Sequence, residues 1–320
     1  MIDMLVEAGS QQLEAGNVAG ALEKFDRAMK LDPKDPRPRY LAAVALEKKG
    51  DPAGAERLFR DALRLDPKLA DVRAELGALL HDQKRYDDAI TELKAALAQK
   101  PDLGDAWFNL GQAQLARKQC EPAAESFGRA AHLKPEDADP LVQRSVALRQ
   151  CKRPEDALKA AREAVKAAPR NPLAQLNLGI TLEKTHHPDE ARTAYVAATK
   201  LKPDYGTAFW SLGLLELGAN RPKEAKAALE RARAIEPTVA RITDLGRAYR
   251  DLGDLKAAEA QFREALTKDG RYTPAHFFLA QVLSATGRCA EMDKELMLLP
   301  AAEAKGEDTQ KVRAACKAKK

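Results

Sequence analysis

Aromatic residues make up only 5% of this 320-residue chain, which holds two tryptophans and four cysteines. That length would ordinarily suggest about two domains. So few aromatics beside 32% charged residues, with Ala, Leu, Lys and Glu dominating, is instead the profile of long helices packed through small contact residues. Long apolar runs are missing too: no stretch approaches the ~18 residues of a membrane span, and the mean hydropathy is −0.47. The N-terminus, Met-Ile-Asp-Met-Leu-Val-Glu, has neither the basic start nor the apolar stretch of a signal peptide. Any export signal is therefore expected to have been removed or never to have existed. The net charge is small, at +5, and the last ten residues account for it with Lys311, Arg313, Lys317, Lys319 and Lys320. The body is left with as many basic residues as its 48 acidic ones. Neutralising a phosphate backbone needs clustered positive charge, so nucleic acid is not an expected partner. Catalytic patterns are absent as well: there is no phosphate-binding Gly-rich loop, no HExxH and no CxxC. No catalytic residue, metal site or cofactor is expected.

What the chain has is a period. Pro33, Pro67, Pro101, Pro135, Pro169, Pro203 and Pro237 stand 34 residues apart. Self-similarity at such an interval signals a stack of repeated units. A Leu-Gly pair recurs at Leu76-Gly77, Leu110-Gly111, Leu178-Gly179 and Leu212-Gly213, with Ala8-Gly9 as its first version. In phase with it come Ala21, Ala55, Ala89, Ala123, Ala157, Ala191 and Ala225, and four residues later Phe25, Phe59, Leu93, Phe127, Ala161, Tyr195 and Leu229. Three further on lie Ala28, Ala62, Ala96, Ala130, Ala164, Ala198 and Ala232.

Spacings of three and four hold these side chains on one helical stripe, and the small ones let two helices approach where a larger group would overpack. The prolines cannot continue a helical ladder and bias the residue before them away from helix. Gly16, Gly50, Asn220, Gly253 and Gly287 sit between two helices of each unit and suit a left-handed helix stop, as does His186. Pro52, Pro154, Pro188 and Pro222 then take the first turn of the next helix, where a missing N–H costs nothing. The adjacent His186-His187 thus reads as a surface turn rather than a metal site.

This pattern resembles the tetratricopeptide repeat family, whose helix-turn-helix unit has this length and this Leu-Gly, Ala, Phe, Ala, Pro signature. The resemblance covers residues 2–299 in about nine repeats. The eighth comes one residue short, and the ninth is degenerate, with Met292 where Ala is expected. Residues 300–320 read as a C-terminal capping helix with a basic tail. The resemblance implies an all-α solenoid, a right-handed superhelix of helix pairs whose concave groove is lined by the first helix of each pair.

In the family, fixed first-helix positions line that groove. Here one holds Val6, Tyr40, Ala74, Phe108, Val142, Leu176, Trp210, Thr243 and Phe277, and a second, one turn on, holds Ser10, Val44, Ala78, Gln112, Val146, Ile180, Leu214, Arg247 and Gln281. None is the Lys or Asn of the carboxylate clamp in chaperone-binding members. Between these two positions, repeats four to seven read Asn109, Gln143, Asn177 and Ser211, similar to the asparagine ladder of the sugar-transferase members. An amide both donates and accepts, so it can hold a peptide backbone whatever its sequence. The flanking rungs Glu7, Leu41, Glu75, Asp244 and Phe278 depart from that pattern. The four central rungs also fit ordinary solvated polar residues. The expected groove site is Phe108, Asn109, Gln112, Gln143, Val146, Asn177, Ile180, Trp210, Ser211 and Leu214, with Trp210 as anchor. Trp107 and Phe209 are expected in the core.

Cys120 opens the second helix of repeat four and Cys151 closes the first helix of repeat five; Cys289 and Cys316 flank a hairpin centred between Pro300 and Gly306. Both pairs are candidate disulfides, with reduced thiols as the alternative. Lasting disulfides favour a periplasm or another exported location over the cytosol. The expected function is a non-catalytic scaffold that binds a protein or peptide segment in its groove. The alternative is a structural assembly factor of a bacterial envelope complex, working through helix edges and the convex face.

Overall fold

A computed structural model describes residues 1–318; Lys319 and Lys320, the end of the expected basic tail, lie outside the described residues. The described residues form helices, turns and loops, without strands. They fall into two compact units, Met1–Pro169 and Arg170–Lys320.

The first unit holds α1 (Ile2–Glu14), α2 (Val18–Leu31), α3 (Arg37–Lys49), α4 (Pro52–Leu65), α5 (Ala70–Asp82), α6 (Tyr86–Gln99), α7 (Gly104–Ala116), α8 (Cys120–Leu133), α9 (Ala138–Gln150) and α10 (Pro154–Ala167). Each odd-numbered helix pairs with the next in a helix-turn-helix unit. The turn inside each pair passes through the left-handed region at one register: Gly16, Gly50, Lys84, Lys118 and Lys152. Three of these are lysines, which pay the left-handed penalty of about 1–2 kcal/mol that glycine escapes. Asn17 and Asp51 then cap the following helix, accepting the backbone N–H of Gly20 at 3.0 Å and of Gly54 at 2.9 Å.

Core side chains explain the repeated pattern. Phe25, Phe59, Leu93 and Phe127 are fully buried among Ala21, Ala55, Ala89 and Ala123. Gly111 lies so close to Phe127 that a Cβ on it would stand 2.7 Å from the ring. In the fifth pair the sizes change together: Ser145 takes the glycine position and Ala161 the aromatic one, and both are fully buried. Cys120 and Cys151 are joined, their Cα atoms 5.6 Å apart, tying the start of α8 to the end of α9.

The second unit holds α11 (Pro172–Lys184), α12 (Pro188–Leu201), α13 (Gly206–Gly218), α14 (Pro222–Ile235), α15 (Val239–Asp251), α16 (Leu255–Lys268), α17 (Thr273–Ala285), α18 (Cys289–Met297), the four-residue α19 (Ala301–Ala304) and α20 (Glu307–Lys317). Its turns keep the same left-handed register at His186, Asn220, Gly253 and Gly287. Met292, where the pattern called for alanine, is buried in a shortened α18 of nine residues. The last helix, α20, covers α17 and α18. The Ser284 hydroxyl donates to the Val312 carbonyl at 2.9 Å, and buried Cys316 is bonded to Cys289 with Cα atoms 5.7 Å apart. No helix among the described residues is long and apolar enough to cross a membrane.

Candidate functional site

On the first helices, the side chains at the expected groove positions are open or buried according to what packs against them. In the first unit, α7 carries Phe108, Asn109 and Gln112, and α9 carries Gln143 and Val146; all five are half-buried. Phe108 meets Phe127 edge-on, with ring centroids 5.6 Å apart, which fixes its orientation. Gln114, on the opposite side of α7, is buried and accepts the Ser126 hydroxyl at 2.7 Å. Asn109, Gln112 and Gln143 differ from it: no side-chain hydrogen bond occupies their amides among the described residues. These are three free donor-acceptor groups on neighbouring first helices.

Further along this unit, the face becomes acidic. Tyr40 and Glu47 on α3 are half-buried; Glu75 on α5 is exposed as a residue, although its carboxyl is partly desolvated by its neighbours. Burial pushes the Glu75 carboxyl above the usual range, and Glu47, Asp105 and Asp71 push it further. Burial also raises Glu47, with Asp82 adding to it. Tyr40 is raised by burial and then by Glu75, Asp71 and Glu47. Nearby acids are neutralised by cations: Asp71 by Lys100 at 3.0 Å, Asp105 by Lys134 at 2.5 Å and Glu56 by Arg85 at 2.8 Å. Among the described residues, Glu47 and Glu75 have no such partner.

In the second unit, α11 carries Asn177 and Ile180, and α13 carries Trp210, Ser211 and Leu214. Asn177 is only 3% exposed, and its backbone carbonyl accepts the Thr181 hydroxyl. Trp210 is half-buried against Ala225, Leu229, Leu245 and Ala248. Its indole N–H donates to Asp244 at 2.8 Å, and the Arg241 guanidinium lies 5.9 Å from its ring centre. Asp244 takes a second donor from Arg247 at 2.8 Å. A Trp N–H thus reaches the carboxylate of the following pair and ties one repeat to the next. Ser211, Ile180 and Leu214 remain half-buried.

Trp107 and Phe209 are half-buried rather than enclosed. Trp107 donates its N–H to the Pro101 carbonyl at 2.8 Å, and Phe209 lies under Arg231. Cys120, Glu121 and Cys151 bring three potential metal-ligand atoms within 4.8 Å, but the two sulfurs are bonded to each other. His186 is exposed at its left-handed turn, and the His187 ring contacts the Thr185 hydroxyl at 3.1 Å. Sequence reasoning missed the pair Glu47 and Glu75. Glu75 stood in the rung series only as a departure, while Glu47, three residues after Val44, was legible by helical spacing alone.

Tetratricopeptide repeat models match the chain over residues 12–79, 46–102 and 80–148 in one case and over 142–185, 176–240 and 243–291 in another. Among solved structures, the Cut9–Hcn1 hetero-tetramer of the APC/C is similar with a TM-score of 0.58 and 14% identity, covering 98% of this chain and 76% of that one. A tetratricopeptide repeat protein from Parabacteroides merdae gives 0.57 at 16% identity, over 77% of this chain and 98% of that one. PilW, a widely conserved type IV pilus biogenesis factor, gives 0.55 at 20% identity, over 64% of this chain and 94% of that one. Likenesses at these identities show the shared fold. Comparison with curated protein sequences yields no match.

Proposed function

Because the chain belongs to the tetratricopeptide repeat family, we propose that it is a non-catalytic scaffold that grips an extended partner segment along the open face of its first helices. The observation that carries this reading is the set of unoccupied amides at Asn109, Gln112 and Gln143. Each can donate to a backbone carbonyl and accept from a backbone N–H, and half-burial beside Phe108 and Val146 shields such bonds from water. The neighbouring acids repel phosphate, which supports a protein partner over nucleic acid. Asn177, Ile180, Trp210, Ser211 and Leu214 form a separate stretch with less to offer a backbone, since Asn177 is buried and the Trp210 N–H is engaged.

The test is selection of peptides from a displayed random library on the immobilised full chain, followed by calorimetry. Asn109→Ala and Gln143→Ala are each expected to weaken the selected peptides by about 1 kcal/mol, the net worth of one hydrogen bond. Undiminished affinity in the double variant refutes the amide grip.

The envelope-assembly reading has its own support. Both cysteine pairs are joined, which suits an oxidising compartment such as a periplasm, and one solved structure of similar fold is a pilus biogenesis factor. In that reading, the helix edges and the convex face serve a larger protein assembly outside the cytosol.

A further inference from the structure

We propose that the first unit carries a second docking site, in the furrow between its second helices α8 and α10, where Arg144 receives an Asp or Glu carboxylate from an acidic partner segment. This site is separate from the first-helix groove and does not depend on it.

The starting point is a break in the repeat. Where other pairs place the leucine of the Leu-Gly signature, as at Leu76 and Leu110, the fifth has Arg144, followed by Ser145. Leu76 and Leu110 are buried, whereas the Arg144 side chain is 41% exposed. It leaves α9 and lies against α8, where a Cβ on Gly128 would stand 3.5 Å from its Nε. That Nε is shut off from solvent and meets no acceptor. Its ion pair is a loose one, with Glu163 of α10 standing 4.0 Å from Nη1, beyond hydrogen-bond reach. Among the described residues, the guanidinium makes no hydrogen bond. An arginine in a leucine's place gives up apolar burial and leaves strong donors unused, and nothing within the unit makes good that loss. A departure of this kind from the repeat's own rule marks a functional position.

The furrow has room for an occupant. Two cavities, of about 510 and 540 Å³, share Arg144 and Glu163 in their walls. The matching furrow between α6 and α8, with Leu110 in its wall, holds about 410 Å³. The cavity of about 540 Å³ has apolar walls of Ala131, Pro135, Leu141 and Ala167, and its charged groups are Arg144, Lys166 and Glu163. Lys166 is exposed and has no ion pair among the described residues. Two cations against one acid leave this cavity net positive. A planar carboxylate matches the guanidinium fork, and carries half the charge of a phosphate towards Glu163. A loose ion would leave the apolar walls uncovered, so the anion that fits belongs to a chain with apolar neighbours beside its acid. A basic segment meets repulsion from Arg144 and Lys166, which gives selectivity as well as affinity.

The test uses the full chain and three dye-labelled dodecapeptides with blocked ends, repeating Leu-Glu-Ala, Leu-Gln-Ala and Leu-Lys-Ala. Binding is followed by fluorescence anisotropy at ~0.1 M salt, where the Debye length is about 10 Å. The Leu-Glu-Ala peptide is expected to bind roughly tenfold more tightly than Leu-Gln-Ala, the worth of a charge-assisted pair, and Leu-Lys-Ala not to bind. Arg144→Gln should remove that preference and leave Leu-Gln-Ala binding unchanged. Arg144→Leu restores the signature of the other repeats; it should also lose the preference, and should melt above the parent. Loss of binding beside a raised melting point cannot come from misfolding. A lowered melting point in Arg144→Leu would make the arginine a part of the scaffold and overturn the proposal. Survival of the acidic preference in Arg144→Gln would do the same. Arg57→Gln, which removes an exposed cation on α4, should change nothing, and an equal loss there would reduce the effect to overall charge. Asn109→Ala with Gln143→Ala should leave the acidic preference intact. If that groove variant abolishes it while Arg144→Gln does not, the acidic peptide sits in the first-helix groove and the second site falls.

Discussion

Trp210 donates its indole N–H to Asp244, 2.8 Å away and 34 residues further along the chain. The donor stands on α13 and the acceptor on α15, so the bond fastens one repeat to the next. Arg247 holds the other oxygen of the same carboxylate at 2.8 Å, and Arg241 stands beside the indole ring. A side chain with the look of a ligand anchor thus contributes to the scaffold.

Trp210→Ala is accordingly expected to destabilise the protein by about 2–3 kcal/mol, below the ~3–5 of a fully buried aromatic because this one is half-buried. Trp210→Phe keeps most of the apolar body and loses the donor, which should cost about 1 kcal/mol. Urea denaturation of the two variants measures both. Unchanged midpoints would show that the Trp210–Asp244 bond does not hold the repeats together.

The glycine at 111 tests how tightly the pairs are packed. Gly111→Leu drives a side chain into Phe127, where even a Cβ would stand 2.7 Å from the ring, and should cost on the order of 1–3 kcal/mol. The fifth pair suggests the remedy, since Ser145 and Ala161 fill the same two positions there. Gly111→Ser should therefore cost less in a Phe127→Ala background than alone, a coupling that a double-mutant cycle reads directly. Additive costs would separate the two residues.

Glu75 makes stability depend on pH with a defined sign. Its folded-state carboxyl lies above the ordinary value, through burial first and then Glu47, Asp105 and Asp71, so the folded protein binds a proton more readily than the unfolded chain. Stability must then fall as pH rises from the ordinary glutamate value through the raised one, and the loss persists above it. Glu75→Gln removes that contribution. Melting temperatures between pH 4 and 8 should show the variant gaining on the parent as pH increases, and parallel curves would contradict the assignment. Glu47, raised by burial and Asp82, contributes in the same direction.

The two cysteine pairs differ in accessibility. Cys316 is fully buried and Cys289 nearly so, whereas Cys120 and Cys151 are half-exposed. Limited reductant followed by alkylation and peptide mapping should therefore label Cys120 and Cys151 first. Removing the inner pair with Cys289→Ser and Cys316→Ser should cost about 3–4 kcal/mol in the chain-entropy model, for a sequence separation of 27. The loss should appear as early unfolding of α20. Free thiols at all four positions in protein purified without reductant from an oxidising compartment would remove both staples and the export argument.

The helices and their pairing were legible from the sequence alone, because they rest on relations inside one turn or one repeat. The stripe of Ala21, Phe25 and Ala28 needs only the 3.6-residue period, and Pro52 and Asp51 mark a helix start without reference to anything distant. Even the match of Gly111 with Phe127 follows from two positions in one repeat. The tertiary structure decided which polar groups stay available, because that depends on what the adjacent repeat presents. Asn109 and Asn177 occupy the same register, yet one amide is open and half-buried while the other residue is 3% exposed. Trp210 looked like a free anchor until Asp244 reached it. Lys84, Lys118 and Lys152 take a left-handed turn that no property of lysine announces, held there by the helices on either side. Glu47 and Glu75 were two glutamates among many until the packing of α3 and α5 left them without a cation. A period encodes backbone shape locally, but the pairing of charges and donors is settled by neighbours some thirty residues away, in a geometry that only the assembled stack provides.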